Sequence, residues 1–159
     1  MNGFVSYAHH DFRMFGEFRT HLKSIERAFA LNLWSDTRIS AGHYWNSKIE
    51  DAIEHADVFI LLASPDFIAS DYIYDHEIPA IKKRHQLASA LVIPVVLKRC
   101  AWQMVANVLQ AVPSENGFIK PIEDWRRRSD GFDQARAQIT AAITDYFAVA
   151  PQHVDWKMP

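Results

Sequence analysis

The groups in this 159-residue chain that could do chemistry are easier to rule out than to assign. Eight histidines suggest a metal site, but their spacing does not. His9 and His10 are adjacent and would point apart on a helix, and His76 and His85 are not four residues apart. The single cysteine, Cys100, has no evident histidine partner, and no serine sits in a GxSxG elbow, so nucleophilic hydrolase chemistry has no support. Neither GxGxxG nor GxxxxGK[ST] follows a strand, so the two commonest phosphate cradles are missing. Glu77 remains. On a regular helix it shares a face with Ile73, Tyr74 and Ile81, at offsets of four, three and four. A carboxylate on an aromatic and apolar face is partly desolvated, which strengthens its attraction for a cation. Spacing alone equally describes, and indeed favours, an exposed helix acid paired with Lys82, Lys83 or Arg84.

The elements that would position these groups alternate. Phe4 to Tyr7, Leu31 to Trp34, Val58 to Ala63 and Leu91 to Leu97 read as strands, with a weaker fifth at Phe118 to Ile119. Phe15, Phe18, Leu22, Ile25 and Phe29 recur at helical spacing. So do Trp45, Ile49, Ala52, Ile53 and Ala56, and again Phe132, Ala135, Ile139, Ile143 and Tyr146. Asp11 is placed to cap the first of these helices. Strand, helix, strand, helix predicts a parallel sheet covered on both faces. Val58 to Ala63 is apolar throughout, as in a central strand buried on both sides. Pro94 removes a ladder donor and places its strand towards one side of the sheet. Pro79 predicts a kink or a late helix start. In such a sheet function gathers at the C-terminal strand ends, after Tyr7, Trp34, Ala63 and Leu97. A phospho-receiver would need an acidic pair after the first strand and an aspartate ending the third. Ser6-Tyr7 and Ala63-Ser64 stand there instead.

Composition narrows the remaining classes. About half the chain is apolar and 13% is aromatic, enough for one buried core. The net charge of −2 offers no footprint for nucleic acid. Arg126-Arg127-Arg128 reads as a solvated loop, Trp45 and Trp102 as packing residues, and Cys100 as a free buried thiol. No apolar run approaches the roughly 18 residues of a membrane span, and no signal peptide is evident. The expectation is a cytoplasmic domain over residues 1–150, followed by a tail or linker stub at 151–159.

Three strand ends, in order, resemble the Toll/interleukin-1 receptor (TIR) family, bacterial type. Phe4-Val5-Ser6-Tyr7-Ala8-His9-His10-Asp11 is similar to its first box. Trp34-Ser35-Asp36-Thr37-Arg38-Ile39-Ser40-Ala41-Gly42 resembles its second strand and the loop that follows. Ser64 to Glu77 resembles its third strand end and the segment carrying the family's glutamate. Ile93-Pro94-Val95 and Leu109 to Pro113 are similar to bacterial members. The resemblance covers residues 3 to 148. It implies a three-layer, flavodoxin-like α/β fold with a central five-stranded parallel sheet and helices on both faces. It implies one of two activities. The first is NAD⁺ cleavage at the nicotinamide–ribose bond, giving nicotinamide and ADP-ribose or a cyclic isomer, in antiphage immunity. The second is non-catalytic association between TIR domains. Under the first, Glu77 is the catalytic carboxylate, and Ser6, Tyr7 and Ala8 line the cleft. Asp36 and Arg38 meet the substrate from the loop, with Arg38 on the pyrophosphate, and Tyr72 or Tyr74 stacks on nicotinamide. Many family enzymes carry an aromatic four residues before the glutamate, where this chain has Ile73. NAD⁺ is then substrate rather than cofactor, and no metal is implied. The implied partners are other TIR domains and a sensor or effector domain outside this chain, with neither nucleic acid nor membrane.

Overall fold

The computed structural model describes residues 1–35, 45–87 and 89–149. Asp36, Arg38, Gly42, the rest of the 36–44 loop, the side chain of Trp45 and the 151–159 tail lie outside the described residues. Strand β1 (Asn2–Ser6) leads to α1 (Phe12–Phe29), β2 (Asn32–Trp34), α2 (Trp45–His55) and β3 (Val58–Ala63). Then come α3 (Pro65–Ala69), α4 (Ile78–Gln86), β4 (Leu91–Val96), α5 (Gln103–Ala106), β5 (Ser114–Glu115), β6 (Phe118–Ile119) and α6 (Arg128–Val149). The first four strands form one parallel sheet in the order β2-β1-β3-β4. That order reverses between β1 and β3, as in the doubly wound flavodoxin-like arrangement.

Alternation along β3 explains the layers. Successive strand side chains point to opposite faces. Val58, Ile60 and Leu62 enter one apolar cluster with Phe18 and Leu22 of α1 and with Phe132 and Ile139 of α6. Phe59 and Leu61 enter the other, with Ile49 and Ile53 of α2 and Ile78 and Ile81 of α4. Every β3 residue is buried, as its unbroken apolar run predicts. Trp102 packs at the margin of the second cluster. Among the described residues no helix is long and apolar enough to cross a membrane.

Two details depart from the sequence expectation or refine it. β4, with Pro94, closes the four-stranded sheet on one side, but no full fifth strand follows it. Val112 alone bridges Val95 in parallel, giving its N–H to the Pro94 carbonyl and accepting from the Val96 N–H. Pro113 has no N–H with which to extend that ladder. Phe118–Ile119 pairs antiparallel with Ser114–Glu115 instead, around Asn116 and Gly117, whose φ values of 53° and 81° suit a tight hairpin turn. The predicted fifth strand therefore exists, but outside the central sheet.

Helix α1 ends at Ala30, held left-handed at φ 48° and ψ 41°, while the Leu31 N–H closes on the Glu26 carbonyl at 2.9 Å. This is the place in a helix end that favours glycine. Ala30→Gly is expected to stabilise the fold by about 1 kcal/mol, raising the unfolding midpoint by a few degrees in a thermal scan.

Candidate functional site

The ends of β1 and β3 bring one carboxylate to the centre of the carboxyl edge of the sheet. The Ser6 hydroxyl, at the last residue of β1, donates to Oε2 of Glu77 at 2.5 Å. Both residues are buried, Ser6 to 2% exposure and Glu77 to 6%. The route from β3 to Glu77 explains how a charged residue arrives there. Ser64 caps α3 by accepting the Phe67 N–H at 3.0 Å, and Pro65 starts the helix. A π-helical turn then runs Ile73–Glu77, in which the Ile78 N–H reaches back five residues to the Ile73 carbonyl. Pro79, at the start of α4, has no N–H to give to that turn, so the wider spacing is accommodated there.

The π turn changes which residues share a face. Regular offsets predict Tyr74 beside Glu77, but Tyr74 is 46% exposed and lines neither hollow at the site. A five-residue step instead aligns Tyr72 with Glu77, and the two line the same hollows. The exposed-acid alternative is corrected as well. Glu77 is buried, and Arg84 donates to the carbonyls of Ile53, Glu54 and Ala56 rather than to it.

Glu77 and Tyr72 stand where two hollows meet. One, of about 340 Å³, lies between the turn after β1 (Tyr7, Ala8, His9) and the α3 segment (Asp66, Ser70). The other, of about 440 Å³, runs between α2 and α4 past Glu50, His76 and Lys83. Tyr7 is buried and stacks on Phe15 with ring centroids 4.3 Å apart, so its ring is fixed by the core. The Tyr72 ring lies 5.1 Å from that of His76. Burial pushes the Tyr72 hydroxyl pKa up, and the carboxylates of Glu77 and Glu50 add to the effect, so the ring stays neutral. Ser6, Tyr7, Ala8, Tyr72 and Glu77 are thus brought together, whereas Asp36 and Arg38 fall outside the described residues. His9, His10 and Asp66 also line the first hollow, and the sequence reading missed them there. Their signal was position, directly after two strand ends, rather than metal spacing.

Asp11 behaves differently from its expected role. It precedes α1 but makes no side-chain cap. Its wholly buried carboxylate accepts the Ser64 hydroxyl on Oδ2 and the Lys98 ammonium on Oδ1, the latter at 2.9 Å. The hydrogen bond to Asp11 raises the Lys98 pKa above its ordinary 10.5, against a smaller opposing effect of burial. A raised lysine pKa contributes stability that is complete below the ordinary value and is lost as pH climbs through the raised one. Measured against Lys98→Met/Asp11→Asn, which removes the cation and its buried partner together, the stability contributed by the pair is therefore expected to stay constant through neutral pH and to fall only above about pH 10.5, in unfolding midpoints taken against pH. Burial also raises the Cys100 thiol, keeping it protonated and a poor nucleophile. Among the described residues no cluster of three His, Cys, Asp or Glu side chains could hold a metal ion.

Comparison with known proteins adds three findings. A family described as TIR domain matches residues 4–140. A protein of Sinorhizobium fredii, named as uncharacterized protein y4lF, is 36% identical over 143 residues. The match takes in 89% of this chain but 42% of that protein, so the chain spans less than half the length of its relative. The crystal structure of the TIR domain of the Toll-related receptor TRR-2 from Hydra magnipapillata superposes with a TM-score of 0.47 at 23% identity, covering 69% of this chain and 81% of that one.

Proposed function

The chain belongs to the TIR domain family, and from that premise we propose that it cleaves NAD⁺ at the nicotinamide–ribose bond with Glu77 as the catalytic carboxylate. The observation that carries this reading is a buried carboxylate, held by Ser6, at the junction of two substrate-sized hollows. In NAD⁺ the bond from ribose C1′ to the pyridinium nitrogen breaks with its electron pair going to nitrogen. Nicotinamide leaves neutral and needs no general acid. The ribosyl fragment becomes an oxocarbenium ion, and a preorganised negative charge in a poorly hydrated cleft stabilises it. Water then adds at C1′ and gives a proton to Glu77, which passes it to solvent. If a group of the same ADP-ribose adds instead, a cyclic isomer forms. Ser6 keeps the carboxylate aimed, and a neutral Tyr72 offers a ring for the nicotinamide.

The site is completed, on this reading, by the 36–44 loop and by a neighbouring domain on self-association. The test is therefore run on concentrated, assembled protein. Nicotinamide and an ADP-ribose product are expected by mass spectrometry. Self-association without any NAD⁺ turnover would favour the rival reading, a non-catalytic interaction module in signalling. Cytoplasmic antiphage defence and a sensor or effector partner complete the proposal.

Stacking fixes a further expectation. An aromatic ring under a base contributes about 1–3 kcal/mol. Tyr72→Ala is expected to raise KM for NAD⁺ by about tenfold or more, and Tyr74→Ala to leave it within about twofold, in initial-rate kinetics. Equal effects from the two tyrosines would remove Tyr72 from the site.

A further inference from the structure

A second polar tie lies beside the Ser6–Glu77 pair, and it touches neither hollow. Asp11 follows His9 and His10, which line one wall of the first hollow, and Ser64 precedes Asp66, Ala69 and Ser70, which line the other. The Asp11 carboxylate joins these walls through the Ser64 hydroxyl and is itself held by Lys98 from the end of β4. Ser64 also accepts the Phe67 N–H, and the Ser70 carbonyl accepts the Tyr74 N–H at 3.0 Å. The segment from Ser64 to Glu77 is thus pinned at its far end by Ser6 and at its near end by Asp11.

We propose that Lys98 and Asp11 are positioning residues for the Glu77 cleft: the Lys98–Asp11–Ser64 chain of hydrogen bonds sets the separation of its two walls and so the aim of Glu77. This rests on the NAD⁺-cleaving reading for its effect on rate, though not for its effect on the segment. A carboxylate with no exposed surface needs its cation, because a buried charge left without a partner is strongly destabilising. Remove the ammonium, and the Asp11 carboxylate is left buried without its cation, so its bond to Ser64 no longer holds the same geometry. The Lys98 side chain is 32% exposed and packs at the end of β4, so neutralising it leaves the two apolar clusters intact.

The experiment compares Lys98→Met, Lys98→Arg and the double variant Lys98→Met/Asp11→Asn in the 159-residue chain. Two readouts are taken. The first is amide hydrogen exchange at Phe67 and Ile73–Glu77, with Ile139 and Ile143 of α6 as the global reference. Lys98→Met is expected to speed exchange in the segment about tenfold more than at the α6 amides, whose own change reports the loss of global stability. It is also expected to lower kcat for NAD⁺ about tenfold with KM within about twofold. Lys98→Arg keeps the cation, and the double variant removes charge and partner together, so both should restore wild-type exchange and kcat. Segment and α6 amides speeding equally, unchanged segment exchange, or no recovery in the double variant would each overturn the proposal. So would altered exchange with unaltered kcat. A wild-type protein that releases no nicotinamide sinks the catalytic reading instead, and the exchange data then still decide whether Lys98 holds the segment.

Discussion

Glu77→Gln is expected to slow nicotinamide release by about 10³-fold, roughly 4 kcal/mol of transition-state stabilisation, in a protein that remains folded. The magnitude follows from where charge develops. Bound NAD⁺ carries its positive charge on the pyridinium, and the transition state shifts it to ribose C1′, beside the carboxylate. Glutamine matches the shape of Glu77 but not its charge, so the loss falls on kcat more than on KM. The fold survives because the amide oxygen can still accept the Ser6 hydroxyl. Nicotinamide measured by chromatography, alongside a thermal scan, checks both halves. Turnover within tenfold of wild type in a folded variant would end the assignment.

Phe18→Ala should produce the opposite pairing, a weakened fold with unchanged chemistry. Phe18 is fully buried and stacks on Phe132 with centroids 5.2 Å apart and planes 19° apart, joining α1 to α6. Truncating a core phenylalanine typically costs about 3–5 kcal/mol. Domains are stable by only about 5–15 kcal/mol, so the unfolding midpoint is expected to fall on the order of 10 °C. The Phe18 cluster lies on the face of the sheet away from Ile78 and Ile81. Although Tyr7 belongs to the same cluster, Tyr7 is held by Phe15, while Phe18 stacks on Phe132 and lines neither hollow. Below the transition, turnover per folded molecule should therefore match wild type. A urea titration showing a loss under about 1 kcal/mol would contradict the packing described.

The two faces of β3 were legible in the sequence because an apolar run with no polar break has one explanation in a layered fold. The same holds for Phe15, Phe18, Leu22 and Ile25, whose spacing states their common face and whose burial confirms it. Pro94 marked a strand near the side of the sheet, and β4 is there. What failed to show was anything that depends on a change of period. The π turn at Ile73–Glu77 shifts the register by one residue, so Tyr74 was read onto the face that Tyr72 serves. Pro79 signalled an irregularity without specifying its kind. Asp11 carries every local mark of a helix cap, but its partners Ser64 and Lys98 lie 53 and 87 residues away, beyond any local pattern. The single-residue bridge at Val112 was equally hidden, because pairing beside β4 depends on donors that only the folded sheet lines up.

Those separations also bear on when the site comes into being. Ser6 and Glu77 are 71 residues apart, and Asp11 and Lys98 are 87 apart. Each tie closes a long loop, and loop closure must be met before such contacts can hold. A nascent chain cannot assemble the cleft until β4 and Lys98 have left the ribosome. The cleft is consequently a late product of folding, absent from chains that stop short of β4, and its appearance marks a domain whose sheet is complete.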